Sequence, residues 1–559
     1  MVSFSSDARA AELEMRAILF VLVAFAFVDG TFDASERAFV RDTVDALVER
    51  RAAESFGGDE SAKGDVLPRW RAHFYNAVSA IEYEIRASLT ESVAVGESLG
   101  EYVASRLKLR CFELLHGLGA KNRPALLQLI DGVIRADGQV DPAEQHFRDE
   151  IERLLVAGSP HAPAHASHAN RAPPVTVDEP RPLSLKTVDH PFFRSGEVAY
   201  IPDPARFAHQ AAADIELMQR FEKRMWEQRA IGNGRLAKAS SFAGFAGQDP
   251  FLDGWTQVSP TKRGARVEAI VFGDLHGCYS CLKAGLMQGE FFAKVEAYQK
   301  DPQRTPFPMV VFLGDYIDRG LRSYDGVLRG VLRVFLAAPD HVVVLRGNHE
   351  QYSAKGDRIE SPMRPAEAIA SIARFAPRAL LEAHMRLFEV MPSSLALGPI
   401  FFVHGGIPRD ETLRAKWSGL STLNDPELRQ QMAWSDPSDV DEVPDELQRS
   451  NMRFAFGKEQ LRRFLHTVGC STLVRGHERV VEGVRVVYKD PDAKLVSVFS
   501  SGGATNDDLP PQSNYREVTP MALLVRLDDA GARITPFPLE YAHYGDPRWN
   551  ALAVNRRFV

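Results

Sequence analysis

Three short segments decide the fold: residues 271–277 read VFGDLHG, residues 312–320 read FLGDYIDRG, and residues 345–350 read LRGNHE. Each contains or follows an apolar run, namely EAIVF, MVVFL and VVVL. Apolar runs without alternation are typical of strands that are buried on both faces. A glycine and then Asp or Asn follow each run, directly in the first two segments and after Arg346 in the third. The pattern therefore predicts polar ligands on loops at one edge of a sheet, where open α/β folds bind their ligands.

Two further apolar runs lead to a histidine, in FFVHGG at 401–406 and in TLVRGHE at 472–478. Mixed carboxylate, imidazole and amide groups suit two divalent ions such as manganese, iron or zinc. Two ions about 3.5–4 Å apart need one carboxylate that bridges them, and we choose Asp315 because it is central in the order. The predicted metal ligands are Asp274, His276, Asp315, Asn348, His404 and His477.

The motifs GDLHG, GDYIDRG, LRGNHE, HGG and RGHE resemble those of the phosphoprotein phosphatase branch of the calcineurin-like metallophosphoesterases. The resemblance covers residues 265–527 in the family's motif order, with a longer spacer between the first two motifs. It implies an α/β domain over residues 265–559, an α+β sandwich of two packed sheets flanked by helices. It also implies two divalent ions, with manganese the first choice, and a bridging hydroxide as the nucleophile.

The resemblance also assigns roles to residues beside the ligands. It makes His349 the general acid that protonates the leaving oxygen, with Asp318 orienting its imidazole. Arg319 is expected to clamp the substrate phosphate, because a guanidinium matches phosphate oxygens bidentately. Asn348 is expected to contact the phosphate as well as a metal ion.

The second phosphate-binding arginine of the family is out of its usual register here. Residues 448–457 read QRSNMRFAFG and lack the family's Arg-Gly. We assign the role to Arg449, with Arg453 as the alternative. The family's Asn-Tyr also comes late, at 514–515, which leaves substrate choice open at this loop.

Residues 1–157 are predicted to form an all-helical domain, since apolar residues recur at helical spacing from Leu13 to Phe25. An Asp-Gly-x-apolar-Asp-x-x-Glu pattern occurs at 29–36 and again at 137–144. This internal repeat resembles the TerB-like helical domain. We interpret the acidic turns as helix caps, with a divalent-ion site as the alternative. The domain is expected to dock a protein partner or to regulate the enzyme.

Residues 158–195 are predicted to be a Pro/Ala-rich linker, because GSPHAPAHASHANRAPP at 158–174 has no hydrophobic period. Its histidines are interpreted as solvated, although they could bind metal. Residues 196–264 are predicted to be a helical connector, built mainly on one helix over 205–230.

The chain of 559 residues has 45% hydrophobic residues, 25% charged residues and a net charge of −7. This length predicts two or three domains. No basic, aromatic-laced groove is apparent, so no nucleic-acid partner is expected. The apolar run 18–28 is too short to span a membrane, and no signal peptide is recognised. Four cysteines make no disulfide framework, so we expect a cytoplasmic location.

Three functions stay open. A serine/threonine protein phosphatase is the first, since GDYIDRG and LRGNHE occur together, and its substrate would be a phosphoprotein. A small-molecule phosphatase or dinucleoside polyphosphate hydrolase would use the same metal centre. A stress-related scaffold with a regulatory helical domain is the third, and the unsubstituted ligand positions argue against it.

Overall fold

The structure is a computed structural model that describes residues 2–553 except 3, 29–31, 58, 89–92, 95–98, 137, 139, 141 and 158–172. The chain divides into two compact units. The helical unit contains Met1–Ala166 and Ser438–Asn451. The sheet unit contains Ser167–Pro437 and Met452–Val559.

The described N-terminal part of the helical unit is helical, as predicted, apart from the two-residue strand Val93–Ala94. Its helices are Ala8–Ala26, Ala34–Phe56, Glu60–Ser88, Leu99–Gly117, Gly119–Val133 and Pro142–Ala157. The first helix is buried at every position from Ala17 to Ala26, so the apolar run packs inside a protein core.

The predicted capping box is present at the second helix. The Glu36 N–H donates to Asp33 Oδ1 at 2.8 Å, and the Asp33 N–H donates to Glu36 Oε2 at 2.8 Å. Two backbone N–H groups at the start of the helix thereby gain hydrogen-bond partners. Asp29, Asp137 and Asp141 lie outside the described residues, and the likeness to TerB stays a prediction.

Residues 438–451, which we call the excursion, belong to the helical unit although they lie late in the sequence. Ser450 Oγ is 2.7 Å from Ser105 Oγ, and the Asn451 amide donates to the same Ser105 oxygen at 2.6 Å. Arg153 also pairs with Glu446 at 2.5 Å. The short helix of the excursion is Asp445–Arg449.

The first sheet of the sheet unit has six strands. In spatial order they are Val175–Val177, Gly531–Pro538, Met521–Asp528, Val267–Phe272, Phe307–Phe312 and Val342–Val344. The last three are parallel, so their carboxyl ends lie at one edge. In Val267–Phe272, Ala269 and Val271 enter one core, whereas Ile270 and Phe272 enter another. This confirms a strand that is buried on both faces.

The second sheet has seven strands. In spatial order they are Val484–Tyr488, Lys494–Val498, Thr472–Arg475, Ile400–Val403, Ser394–Leu397, Thr256–Ser259 and Phe251–Asp253. One core contains Val271 and Val311 of the first sheet together with Phe402 and Val474 of the second. Each such buried side chain contributes about 1.5–3 kcal/mol. The two sheets therefore pack as the predicted sandwich.

Helices cover the outer faces of the sandwich. Their bounds are Pro191–Arg194, Pro204–Gly232, Tyr279–Gln288, Phe291–Lys300, Arg329–Ala337, Glu367–Ile372, Arg378–Val390, Asp410–Lys416, Pro426–Trp434 and Lys458–Val468. Two small strand pairs complete the unit: Ser353–Lys355 with Arg358–Glu360, and Asp436–Pro437 with Ala455–Phe456. The helix Lys458–Val468 shows why the sequence forms helices at these positions. It buries Leu461, Phe464, Leu465 and Val468 on one face, a spacing that fits 3.6 residues per turn.

The sheet unit begins earlier than the sequence boundaries suggest. Within the predicted linker 158–195, residues 175–177 form an edge strand that pairs with 532–534. Within the predicted connector 196–264, Phe251–Asp253 and Thr256–Ser259 join the second sheet. Such short strands carry too few apolar residues to give a periodic signal. In the described part of the chain, no helix has the length and hydropathy needed to cross a membrane.

Candidate metal centre

The predicted ligands lie on loops that directly follow strands of both sheets. Four follow strands of the first sheet, namely Asp274, His276, Asp315 and Asn348, and two follow strands of the second, namely His404 and His477. All six side chains are almost fully removed from solvent. The six predicted ligands therefore lie at strand ends that the sandwich brings together.

Asp315 lies between two groups of histidines. Its Oδ2 is 3.4 Å from His276 Nε2, and its Oδ1 is 3.4 Å from His404 Nε2. The described residues contain two potential metal-holding groups, and Asp315 is in both: one with His276 and His349, the other with His404 and His477. One carboxylate that faces two histidine groups is the geometry required of a bridging ligand.

The hydrogen bonds of two imidazoles fix which nitrogen is available. His276 Nδ1 is 2.8 Å from the Ile317 carbonyl oxygen, and His404 Nδ1 is 3.1 Å from the Leu313 carbonyl oxygen. A carbonyl can only accept, so each Nδ1 carries the proton and each Nε2 presents its lone pair to Asp315. Burial lowers the pKa of both rings and keeps them neutral. Metal-binding histidines are held in this way.

Several buried acceptor atoms of the centre face one another, an arrangement that a bound cation would stabilise. Asn348 Oδ1 is 2.8 Å from His404 Nε2 and 3.2 Å from His477 Nδ1. A half-turn of the Asn348 amide would let its nitrogen donate to these atoms, but it would remove an oxygen ligand. Asp274 Oδ2 and His477 Nε2 have no hydrogen-bond partner among the described residues. Buried lone pairs that converge in this manner are costly unless a positive charge lies between them.

The raised pKa values of two carboxyl groups in the centre also indicate that positive charge would stabilise them. Burial raises the pKa of Asp315 to about 8. Burial, and then the charge of Asp315, raises the pKa of Asp274 to about 7. A bound divalent cation inverts this effect and keeps such carboxylates ionised.

Glu350 holds the bridging loop, and sequence reasoning did not identify it. Its carboxylate accepts the N–H groups of Asp315, Tyr316 and Gly347 at 2.7, 2.9 and 3.0 Å. Glu350 is 0% exposed. The signal in the sequence was its position directly after the predicted catalytic His349, which indicates a buried site. A buried acid needs hydrogen-bond partners, so Glu350 could have been predicted to hold nearby backbone N–H groups.

The loops of the centre hold an unusual backbone conformation. Of the described non-glycine residues, six have positive φ angles, and five of them lie in or beside the centre. These five are His276 (40°), Asp315 (54°), Asp318 (68°), Arg319 (65°) and His477 (70°). Such a conformation costs about 1–3 kcal/mol per residue and is concentrated at functional sites. Here it aims side chains that a regular strand would direct elsewhere.

The predicted acid and its orienting carboxylate are paired. His349 Nδ1 is 2.7 Å from Asp318 Oδ2, and the Ala368 N–H donates to Asp318 Oδ1 at 2.8 Å. His349 Nε2 faces the centre, 3.9 Å from Asp315 Oδ2. Burial, followed by the charge of Arg319, lowers the pKa of His349 well below its usual value, so its protonated form is a strong proton donor.

The two candidate arginines for the second phosphate contact occupy different units. Arg453 lies in the sheet unit, and its Nε donates to Asp436 Oδ2 at 2.7 Å. The other Asp436 oxygen is 2.7 Å from Arg475 and 3.9 Å from His477 Nε2. Arg449, our first choice, ends the short helix of the excursion in the helical unit. The spacing of the motif in the sequence does not show that the chain returns to the sheet unit only at Met452, between the two arginines.

Cys278 and Cys281 lie at the start of the helix Tyr279–Gln288, directly after the first ligand loop. Both are buried and unpaired by disulfide. Cys278 Sγ is 3.0 Å from Ser501 Oγ, and the Asn506 amide is 3.5 Å from Cys281 Sγ. Burial raises the pKa of the Cys281 thiol, which makes it a poor nucleophile.

Comparison with known proteins gives a family match over the centre. Residues 268–480 match the family model described as calcineurin-like phosphoesterase. A probable serine/threonine-protein phosphatase of Encephalitozoon cuniculi is 27% identical over 279 residues, which are 49% of this chain and 55% of that protein. The chain thus spans about half the length of this relative. The serine/threonine-protein phosphatase 4 catalytic subunit of Kluyveromyces lactis is 27% identical over 46% of this chain and 74% of its own.

Solved structures give weaker matches. A protein serine/threonine phosphatase from Saccharomyces cerevisiae with similarity to human phosphatase PP5 has a TM-score of 0.37 at 17% identity, covering 59% of this chain and 90% of that one. A cold-active protein-tyrosine phosphatase of a psychrophilic Shewanella has a TM-score of 0.28 at 16% identity, covering 51% and 82%.

Proposed function

We propose, from the calcineurin-like phosphoesterase domain that this chain carries over residues 268–480, that the protein is a metal-dependent serine/threonine protein phosphatase. The observation that supports this most is Asp315, with one oxygen 3.4 Å from each of two histidines. The names of the two relatives described above point to the same reaction.

The donor set assigns ligands to two divalent ions. Asp274, His276 and Asp315 would hold one ion, and Asp315, Asn348, His404 and His477 would hold the other. When bound, such ions activate a water molecule and neutralise charge on the phosphoryl oxygens. We propose manganese for both, since oxygen and imidazole ligands without thiolates suit it.

The side chains around the centre would position the phosphate and move a proton. Protonated His349 donates from Nε2 to the leaving oxygen, while Asp318 holds its Nδ1 and stabilises the positive charge. Arg319, the residue after Asp318, would contact the phosphate. We assign the second arginine contact to Arg453 in place of Arg449, since Asp436 holds it beside His477.

The helical unit is proposed to dock a protein partner or to regulate the enzyme. Support comes from the excursion, which leaves the sheet unit after Pro437 and returns at Met452, next to Arg453. Helices of the helical unit bind it through Ser105 and Arg153. A partner that moved those helices would also move a segment covalently attached to the proposed arginine.

The experiment that tests the proposed function is a substrate panel on full-length protein with manganese. We expect kcat/KM to be highest for phosphoserine and phosphothreonine peptides, lower for p-nitrophenyl phosphate, and lowest for a dinucleoside polyphosphate. The control is Asp315→Asn, for which loss of the bridging charge should reduce hydrolysis about 10³-fold or more. A preference for the dinucleotide would replace the proposal with a small-molecule hydrolase, and unchanged activity of the variant would refute the metal centre.

A further inference from the structure

The proposed phosphate clamp is engaged by an acid of its own chain. Arg319 Nη1 donates to both carboxylate oxygens of Glu367, at 2.8 and 2.7 Å. It also donates to the Pro365 carbonyl oxygen at 3.1 Å. The Glu367 carboxylate therefore interacts with the guanidinium that we assign to the substrate phosphate. Charge-assisted bonds of this kind are the ones an incoming phosphate would have to replace.

The same segment is attached to the catalytic pair by a separate bond. The Ala368 N–H donates to Asp318 Oδ1 at 2.8 Å, and Asp318 Oδ2 holds His349. The backbone at the start of the helix Glu367–Ile372 is thus fixed independently of the Glu367 side chain. Rotation of that side chain would break the ion pair between Arg319 and Glu367 without displacing Asp318.

Exposure shows which partner can leave. The Arg319 side chain is 16% exposed, whereas the Glu367 side chain is 43% exposed. A carboxylate with this much access to water regains its hydration when it turns outward, so the exchange carries a small desolvation cost. The guanidinium stays in place, where a phosphate can bind it.

We infer that Glu367 is a specificity-determining residue, which occupies Arg319 until a dianionic phosphate monoester displaces it. The inference rests on the proposed phosphatase function, because it takes Arg319 as the phosphate contact. Glu367 acts through Arg319 and does not itself touch the reacting atoms. In the exchange, one negative charge leaves the guanidinium and the phosphate replaces it.

The charge of the substrate decides the outcome of this exchange. A phosphate monoester carries a charge of about −1.5 to −2 at neutral pH and has three unesterified oxygens, so it gains more from Arg319 than the carboxylate does. A phosphate diester carries a single negative charge and gains no comparable advantage. Glu367 therefore favours monoesters over diesters, in addition to the discrimination that the metal centre supplies.

The test compares Glu367→Gln, which keeps the shape and removes the charge, with Glu382→Gln. Glu382 is a suitable control because it also pairs with an arginine, Arg378 of its own helix, and both side chains of that pair are exposed. Both variants are measured with p-nitrophenyl phosphate and bis(p-nitrophenyl) phosphate. The dissociation constant of inorganic phosphate is measured by calorimetry on the manganese-loaded protein.

We expect Glu367→Gln to lower KM for the monoester and the dissociation constant of phosphate by about 2- to 10-fold, the range of a partly exposed ion pair. We expect kcat to stay the same, and the preference for monoester over diester to shrink. Glu382→Gln should match the wild type. Unchanged KM and phosphate affinity in Glu367→Gln, a loss of kcat alone, or an equal effect of Glu382→Gln would each overturn the inference.

The two proposals fail in different ways. Absence of ester hydrolysis by the wild-type protein would overturn the proposed function. The phosphate titration needs no turnover, so tighter phosphate binding by Glu367→Gln would still support competition for Arg319, and unchanged binding would overturn it.

Discussion

Asp315 depends on the residues that surround its backbone as much as on its own carboxylate. Gly347 lies against it so closely that a Cβ atom there would be 2.2 Å from Asp315 Oδ1 and 2.4 Å from the Asp315 nitrogen. The sequence predicted the six ligands because each follows a strand-like run. Glu350 and Glu367 could not be assigned roles in this way, since both act through tertiary contacts. Glu367, for example, is 48 residues from Arg319 in the sequence.

Replacement of Gly347 by alanine should disable the centre while the fold persists. The added methyl would push Asp315 away from its position and loosen its bond to Glu350, and a displacement of about 1 Å at a catalytic centre can reduce the rate about 100-fold. Metal content by elemental analysis and kcat/KM measure the effect. Gly244→Ala is the control, since a Cβ there would meet nothing within 4 Å. Normal metal content and activity in Gly347→Ala would contradict the geometry described for Asp315.

Replacement of His349 by asparagine should affect substrates according to their leaving groups. A serine alkoxide needs a proton as it departs, whereas p-nitrophenolate is stable without one. A general acid typically contributes about 10²–10⁴-fold, so we expect a loss in that range for phosphoserine peptide and a much smaller loss for p-nitrophenyl phosphate. Equal losses on both substrates would assign His349 to metal binding, consistent with its place beside His276 and Asp315.

At the scale of strands and helices, the sequence was most informative where a long apolar run met a sharp stop. The strands Val267–Phe272 and Phe307–Phe312 are of this kind, and both were predicted. The strand Val175–Val177 was missed because three residues in a Pro-rich context give no period. The excursion was missed for a different reason, since its assignment to the helical unit depends on contacts between Ser105 and residues more than 300 positions later.

Two truncated proteins should show where the sheet unit begins. Lys283 is fully buried and pairs with Asp189 at 2.9 Å and Glu197 at 2.6 Å. A protein that starts at 173 keeps the edge strand and both acids, whereas one that starts at 196 loses the strand and Asp189. Glu197 still pairs with Lys283 in the shorter protein, and the loss of one charged hydrogen bond costs about 1.5–3 kcal/mol. The shorter protein should therefore melt about 3–6 °C lower. Asp189→Asn in the full-length protein measures the effect of the ion pair without loss of the edge strand. Equal melting temperatures of the two truncated proteins would place the start of the sheet unit after residue 195.

At the scale of the whole molecule, the centre is composite. The first sheet contributes Asp274, His276, Asp315 and Asn348, and the second contributes His404 and His477. The general arrangement followed from the sequence, because buried strands that end in ligands must meet at their carboxyl ends. The residues that adjust the centre did not follow, since burial and partner choice are set by the packed structure.

Removal of metal with a chelator should abolish hydrolysis and lower the melting temperature. A ligand at 100 times its dissociation constant stabilises the folded state by about 2.7 kcal/mol per site. Scanning calorimetry before and after EDTA, and again after manganese is restored, measures the change. Asp315→Asn should melt at the same temperature with or without chelator. Full hydrolysis in protein that elemental analysis shows to be free of metal would contradict the proposed chemistry.

Because three loops of the first sheet and two loops of the second would bind the same pair of cations, metal loading should hold the two sheets together along the edge where those loops lie. Amide hydrogens of Phe307–Phe312 and of Thr472–Arg475 would then exchange with deuterium more slowly together. Ions confined to a single layer would slow exchange in that layer alone.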